Sequence, residues 1–156
     1  MSEDFSSGVP PTGWSEGNNG NSAGWEDGGG DAWHDDYTGM NINSLDSSAA
    51  DLTGSANAEL TWDNVNTFAT WTLLNSVSAN GTVVWAQDAS NGASGPQTVD
   101  LTAFDGMSVT LSFLYEGDYA NDWRVDNVVI DAPAPPPPPS VSIMFEDFES
   151  GVCPPA

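Results

Sequence analysis

Two stretches restrict the fold more than anything else in this chain. They are Met107–Tyr115, MSVTLSFLY, and Trp123–Ile130, WRVDNVVI. In the first, Met107, Val109, Leu111, Phe113 and Tyr115 share one face, and Ser108, Thr110, Ser112 and Leu114 share the other. In the second, simple alternation puts Trp123, Val125 and Asn127 on one face and Asp126, Val128 and Ile130 on the opposite one. A period of two belongs to half-buried strands, and no stretch shows the 3.6-residue period of an amphipathic helix.

The rest of the chain repeats the theme. Ala56–Asp63 reads as a strand with Leu60 and Trp62 on opposite faces. Thr67–Ala79 is rich in β-branched and aromatic residues. Asn80-Gly81 then signals a two-residue hairpin into Thr82–Asp88. Met40–Thr53 holds one short strand carrying Ile42, Leu45 and Leu52. Ser15–Gly39 is too polar for regular structure throughout and is expected to be a loop packed by Trp25, Trp33 and Tyr37. Asp105-Gly106 marks a turn. Seven to nine short strands with turns every ten or so residues predict an all-β, antiparallel sandwich. Seven Trp, six Phe and three Tyr supply a core, so the acidity of the chain does not imply disorder.

Three regions follow: a sandwich over 1–131, a polyproline II spacer over 132–139 (APAPPPPP), and a tail over 140–156. The tail copies the opening of the chain. Met1, Glu3, Asp4, Phe5, Ser7, Gly8 and Val9 recur as Met144, Glu146, Asp147, Phe148, Ser150, Gly151 and Val152. SVSIMFEDF, residues 140–148, alternates well enough for a strand but has no partner at home. Two readings stay open: the tail starts a further repeat, or it adds a strand to a neighbour's sheet. Strand addition would place Val141, Ile143, Phe145 and Phe148 in an adjacent subunit. Such head-to-tail contacts do not close on themselves, so copies of the chain would form a filament.

Charge excludes several partners. The formal net charge is −22, and Arg124 is the one Lys or Arg. Such a chain repels nucleic acid and anionic membrane surfaces. No apolar run is long enough for a transmembrane helix. The N-terminus reads as no signal peptide. The lone Cys153 forms no internal disulfide. His34-Asp35 lacks the accompanying signals of a catalytic triad, and His34 reads as a surface residue of an acidic loop, so an enzyme is not expected. Carboxylates separated by glycine, Glu26-Asp27-Gly-Gly-Gly-Asp31, suit Ca²⁺ in their donor type without forming an EF-hand. Trp25 and Trp33, outside the clear strands, are candidate glycan-stacking platforms. Asn80-Gly81-Thr82 is an N-glycosylation sequon on the hairpin.

Four segments carry a resemblance: EDFSSGVPPTGW, ELTWDNVNTFATW, TVDLTAFDGMSVTLSFLYEG and NDWRVDNVVI. Together they resemble the MAM-like jelly-roll domains of bacterial cleaved-adhesin and "choice-of-anchor" surface proteins. The resemblance implies a two-sheet jelly roll that binds or displays rather than catalyses, at the cell surface or outside the cell. It also implies a structural Ca²⁺ where first and last strands meet. Glu3, Asp4 and Asp126 are the ligands so implied, completed by Asp27, Asp31 or Asp36. The functional expectation is a structural subunit of an extracellular fibre or adhesin. The alternative is a carbohydrate-binding or calcium-dependent adhesive module of a secreted multidomain protein.

Overall fold

The computed structural model describes residues 1–20, 24–35, 39–66, 72–88, 94–120 and 122–140. Its strands are β1 (Ser2–Glu3), β2 (Ser15–Gly20), β3 (Trp25–Asp27), β4 (Ala32–His34), β5 (Met40–Asp46), β6 (Ala50–Asp51), β7 (Glu59–Val65), β8 (Thr72–Ala79), β9 (Thr82–Gln87), β10 (Gly95–Asp100), β11 (Ser108–Val109), β12 (Leu111–Asp118) and β13 (Trp123–Asp131). One sheet runs β10-β7-β13-β4-β3, with β1 also on β13, and the other runs β2-β5-β12-β8-β9. All pairings are antiparallel, and β6 and β11 form a small separate ladder. The result is the expected jelly-roll-like sandwich. No described helix is long and apolar enough to cross a membrane.

The core is aromatic and lies between the sheets. Trp62 and Trp123 of the first sheet meet Phe113 of the second at 6.1 and 6.2 Å. Trp85 reaches across to Trp123 at 6.1 Å and to Trp62 at 5.3 Å. The indoles of Trp123 and Trp62 both donate to Asn64 Oδ1, at 2.6 and 3.4 Å, and Asn64 Nδ2 donates to Gln87 Oε1 at 3.3 Å. A buried amide here satisfies buried indole N–H groups that would otherwise be costly.

β13 corrects the simple alternation. Trp123, Val125, Val128 and Ile130 are all buried on one face. The pairing with β7 slips between Asp126 opposite Asp63 and Val129 opposite Thr61. Asn127 sits there at φ 50°, a left-handed conformation that Asn tolerates better than most residues. This β-bulge reverses the parity of the strand, so Val128 and Ile130 turn inward. Leu60 and Trp62 likewise share the buried face, since residues two apart in a strand point the same way.

Polar strands account for the remaining differences. Ser15–Gly39 forms β2, β3 and β4 rather than a loop alone. Gly17 lies opposite Ser44, and a Cβ there would come within 2.7 Å of Ser44 Oγ. β5 buries Asn41, Asn43 and Leu45 in alternation, so its inner face is largely amide. Met107 is 49% exposed in the turn before β11, while Val109, Leu111, Phe113 and Tyr115 point inward as expected. Asn80 (φ 48°) and Gly81 (φ 78°) form the hairpin turn between β8 and β9, both at the positive φ of a type I′ turn.

The end that leads to the spacer is tied down. Asp105 accepts hydrogen bonds from Ser55 Oγ, Asn57 N and Ala58 N at 2.9, 2.7 and 3.1 Å. Within that loop, Ala56 N donates to Pro133 O at 2.8 Å. The root of the spacer is thereby fixed against the sandwich.

Candidate functional site

The opening segment closes the first sheet. Ser2 lies opposite Val129 and Glu3 opposite Val128. The Met1 amino group donates to Ile130 O at 3.2 Å, and Ile130 N donates to Met1 O at 2.9 Å. The chain then turns sharply at Phe5, φ 52°, a strained conformation for a bulky residue. Three local bonds hold it. Phe5 N donates to Glu3 Oε1 at 2.8 Å, Ser6 N to Asp4 Oδ1 at 3.1 Å, and Gly8 N to Phe5 O at 3.0 Å. Ser6 Oγ also donates to Asp4 Oδ1 at 2.7 Å. The reward is burial: Phe5 is fully enclosed, edge-on to Trp14 at 5.4 Å. An aromatic ring so placed contributes about 2–3 kcal/mol.

Beside this seam the β13 bulge gathers acids. Asn127 Nδ2 donates to Asp63 Oδ2 at 2.8 Å and to Asp126 Oδ2 at 3.2 Å, and Asn127 N donates to Asp126 Oδ1 at 2.7 Å. Burial pushes the Asp126 carboxyl up. The neighbouring charges of Asp31, Asp63 and Asp4 push the same way, against the Asn127 N–H. Arg124 answers part of this charge. Its Nη1 lies 3.0 Å from Asp31 Oδ2, its Nε lies 3.5 Å from Asp122, and its guanidinium stacks 5.2 Å from the Trp33 ring. The hydrogen bond to Asp31 is the main reason its pKa is raised.

The expected calcium ligands that the structure describes each hold local partners. Glu3 Oε1 and Asp4 Oδ1 accept the local N–H groups of the seam, and Asp31 is paired with Arg124. Asp27 Oδ1 accepts Gly29 N and Gly30 N at 2.9 and 3.1 Å, bonds that hold its carboxyl below the usual range. Asp126 accepts from Asn127 N and Nδ2, and the same Nδ2 donates to Asp63. Among the described residues no three His, Cys, Asp or Glu side chains stand together as metal ligands. Asp36 lies outside the described residues, as do Val141, Ile143, Phe145 and Phe148.

The aromatic candidates are placed differently from expectation. Trp25 is 3% exposed, packs on Trp123 at 5.3 Å and donates through Nε1 to Asn43 O at 3.3 Å, so it presents no open face. Trp33 is half-buried. Arg124 occupies its ring, and its Nε1 donates to Asp122 Oδ2 at 3.1 Å. His34 is a core residue, not a surface one. It is fully buried and stacked on Tyr115 at 3.8 Å, with Nε2 2.7 Å from Asn43 Nδ2. Burial lowers its pKa from 6.5 to about 4. Asn80 uses its own amide: Nδ2 donates to Ser108 O and Oδ1 accepts Thr110 N, each at 3.0 Å. A glycan on Nδ2 would take one of its two hydrogens and leave the other, and Oδ1, for these bonds.

Sequence reasoning missed Asp63 and Asn127 because acids and amides occur throughout the chain. An Asp-Asn pair inside an apolar strand was the available signal for the bulge.

No family model matches the chain, and no curated protein matches it. Solved structures do. The K1 cleaved adhesin domain of Lys-gingipain from Porphyromonas gingivalis superposes with a TM-score of 0.63 at 20% identity, covering 85% of this chain and 97% of that one. The K3 domain of the same protein gives 0.60 at 20% identity, covering 83% and 95%. The K2 domain gives 0.56 at 18% identity, covering 84% and 97%. The chain has a cleaved-adhesin-like fold.

Proposed function

We propose that this chain is a noncatalytic, extracellular adhesion module used in series, joined head to tail through its proline spacer and the segment over 140–156. The likeness to domains named as adhesins supports the adhesive part. One observation carries the serial part. Glu3, Asp4, Phe5 and Gly8 fold the opening segment onto β13, and each reappears beyond the spacer, as Glu146, Asp147, Phe148 and Gly151. A chain ending at Pro139 is expected to fold and sediment as a monomer, while the full chain associates as its concentration rises. Equal association of the two forms would overturn the serial reading.

Glycan binding has less support, because Trp25 is buried and one face of the Trp33 ring carries Arg124. Calcium is a separate proposal, resting on the charges of Asp31, Asp63 and Asp4 that bear on Asp126 and that Arg124 answers only in part. Millimolar Ca²⁺ is then expected to raise the melting temperature by several degrees, reversibly with EDTA. A melting temperature indifferent to both would remove it.

A further inference from the structure

We propose that residues 144–152 are a second closing strand, and that they dock on β13 of another sandwich of this kind, in the place that Met1–Val9 holds at home. The inference rests on the serial reading above and names its contact.

The chemistry of the β1 place is specific. It needs a backbone edge to exchange bonds with Ile130, an acid two residues before an aromatic, and a second acid to hold the turn. It also needs an aromatic that accepts a left-handed φ, and a glycine three residues on, which here sits at φ 103°. Residues 144–152 meet each need in order. Met144 falls at the Met1 position, Glu146 at Glu3, Asp147 at Asp4, Phe148 at Phe5 and Gly151 at Gly8. One contact is not reproduced: Glu149 replaces Ser6, whose hydroxyl bonds Asp4. In this register Phe145 lies opposite Val129, where Ser2 lies now. Val141, Ile143 and Phe145 then share the outer side of the added strand, and Phe148 takes the buried socket.

The spacer decides against self-docking. The home site lies next to the end of β13, so a tail folding back would have to return to where it started. Pro133 is held by Ala56, which fixes where the spacer leaves. Residues 133–139 form a stiff rod of about 22 Å at about 3.1 Å per residue. Only residues 140–143 are left for the return, and four residues span at most about 14 Å. The segment therefore reaches outward, to a second sandwich.

The home strand and the incoming strand compete for one place, and this makes the inference testable in trans. All chains carry Cys153→Ser. A chain with Val129→Cys is mixed with a chain with Phe145→Cys and oxidised with glutathione. Directly opposed residues of an antiparallel pair lie about 4.5–5.5 Å apart at Cα, within disulfide reach. The expected product is the mixed disulfide dimer, identified by mass. Phe5→Ala in the Val129→Cys chain empties the socket and is expected to raise the yield several-fold. Phe148→Ala in the partner is expected to abolish the gain. Ile143→Cys, out of register with Val129, serves as the control. A mixed dimer no more abundant than with that control overturns the docking site. Should Phe5→Ala fail to fold, by tryptophan fluorescence, the comparison with Phe5 intact decides alone. Chains that associate through the tail without this link keep the serial reading and lose the docking site. Chains that do neither lose both.

Discussion

Replacing Trp123 with alanine is expected to cost about 3–5 kcal/mol, a large share of the stability of a domain this size. Trp123 is fully buried and touches Trp25, Trp85 and Phe113 from both sheets. Its truncation leaves a cavity where the sheets meet. It also removes the 2.6 Å bond to Asn64 Oδ1 and leaves that amide oxygen with the longer bond from Trp62. Urea unfolding followed by far-ultraviolet circular dichroism reads the loss. Trp123→Phe should cost less, because it retains part of the packing and loses the N–H. A Trp123→Ala chain within about 1 kcal/mol of the parent would show that the sheets do not meet through this residue.

The second large effect is acid destabilisation through His34. Its folded pKa is about 4 against an ordinary 6.5, because burial opposes the charged ring. The unfolded chain therefore binds a proton between these values and the folded chain does not. Stability is complete above about pH 6.5, falls as the pH drops toward 4, and loses no more on this account below that. A shift of this size corresponds to about 3 kcal/mol in all. Four of the other shifted groups act below the window. Asp4, Asp27, Asp51 and Asp100 are held below the usual carboxylate value by turn hydrogen bonds, so their contributions fade only at lower pH. Asp126, raised by burial, gains a proton more readily when folded and works in the opposite direction. His34→Phe keeps a ring against Tyr115 and should flatten the slope between pH 6.5 and 4. An unchanged slope would assign the acid response elsewhere.

Much of the architecture was legible because period-two patterning is local. Leu111, Phe113 and Tyr115 in β12, the Asn80-Gly81 hairpin, and the exclusion of helices all follow from neighbours along the chain. Several misreadings come from a core that is partly amide. Asn41, Asn43, Asn64, Asn75 and Gln87 point inward, and hydrophobic periodicity cannot register them. The same blindness put His34 on the surface and left β2 as loop. The bulge at Asn127 has a different cause, since one left-handed residue reverses the facing of every residue after it. For the site, the repeat between residues 1–9 and 144–152 was plain in the sequence. What the first copy does was not. Only the structure shows Phe5 as the buried residue of the closing segment, with Glu3 and Asp4 each accepting a backbone N–H of its turn.

Negative-stain imaging of the full chain beside a Phe148→Ala chain at the same concentration tests serial assembly through the tail. Linear strings of evenly spaced beads are expected from the parent and isolated beads from the variant. Isolated beads from both, or strings that survive Phe148→Ala, would rule that assembly out.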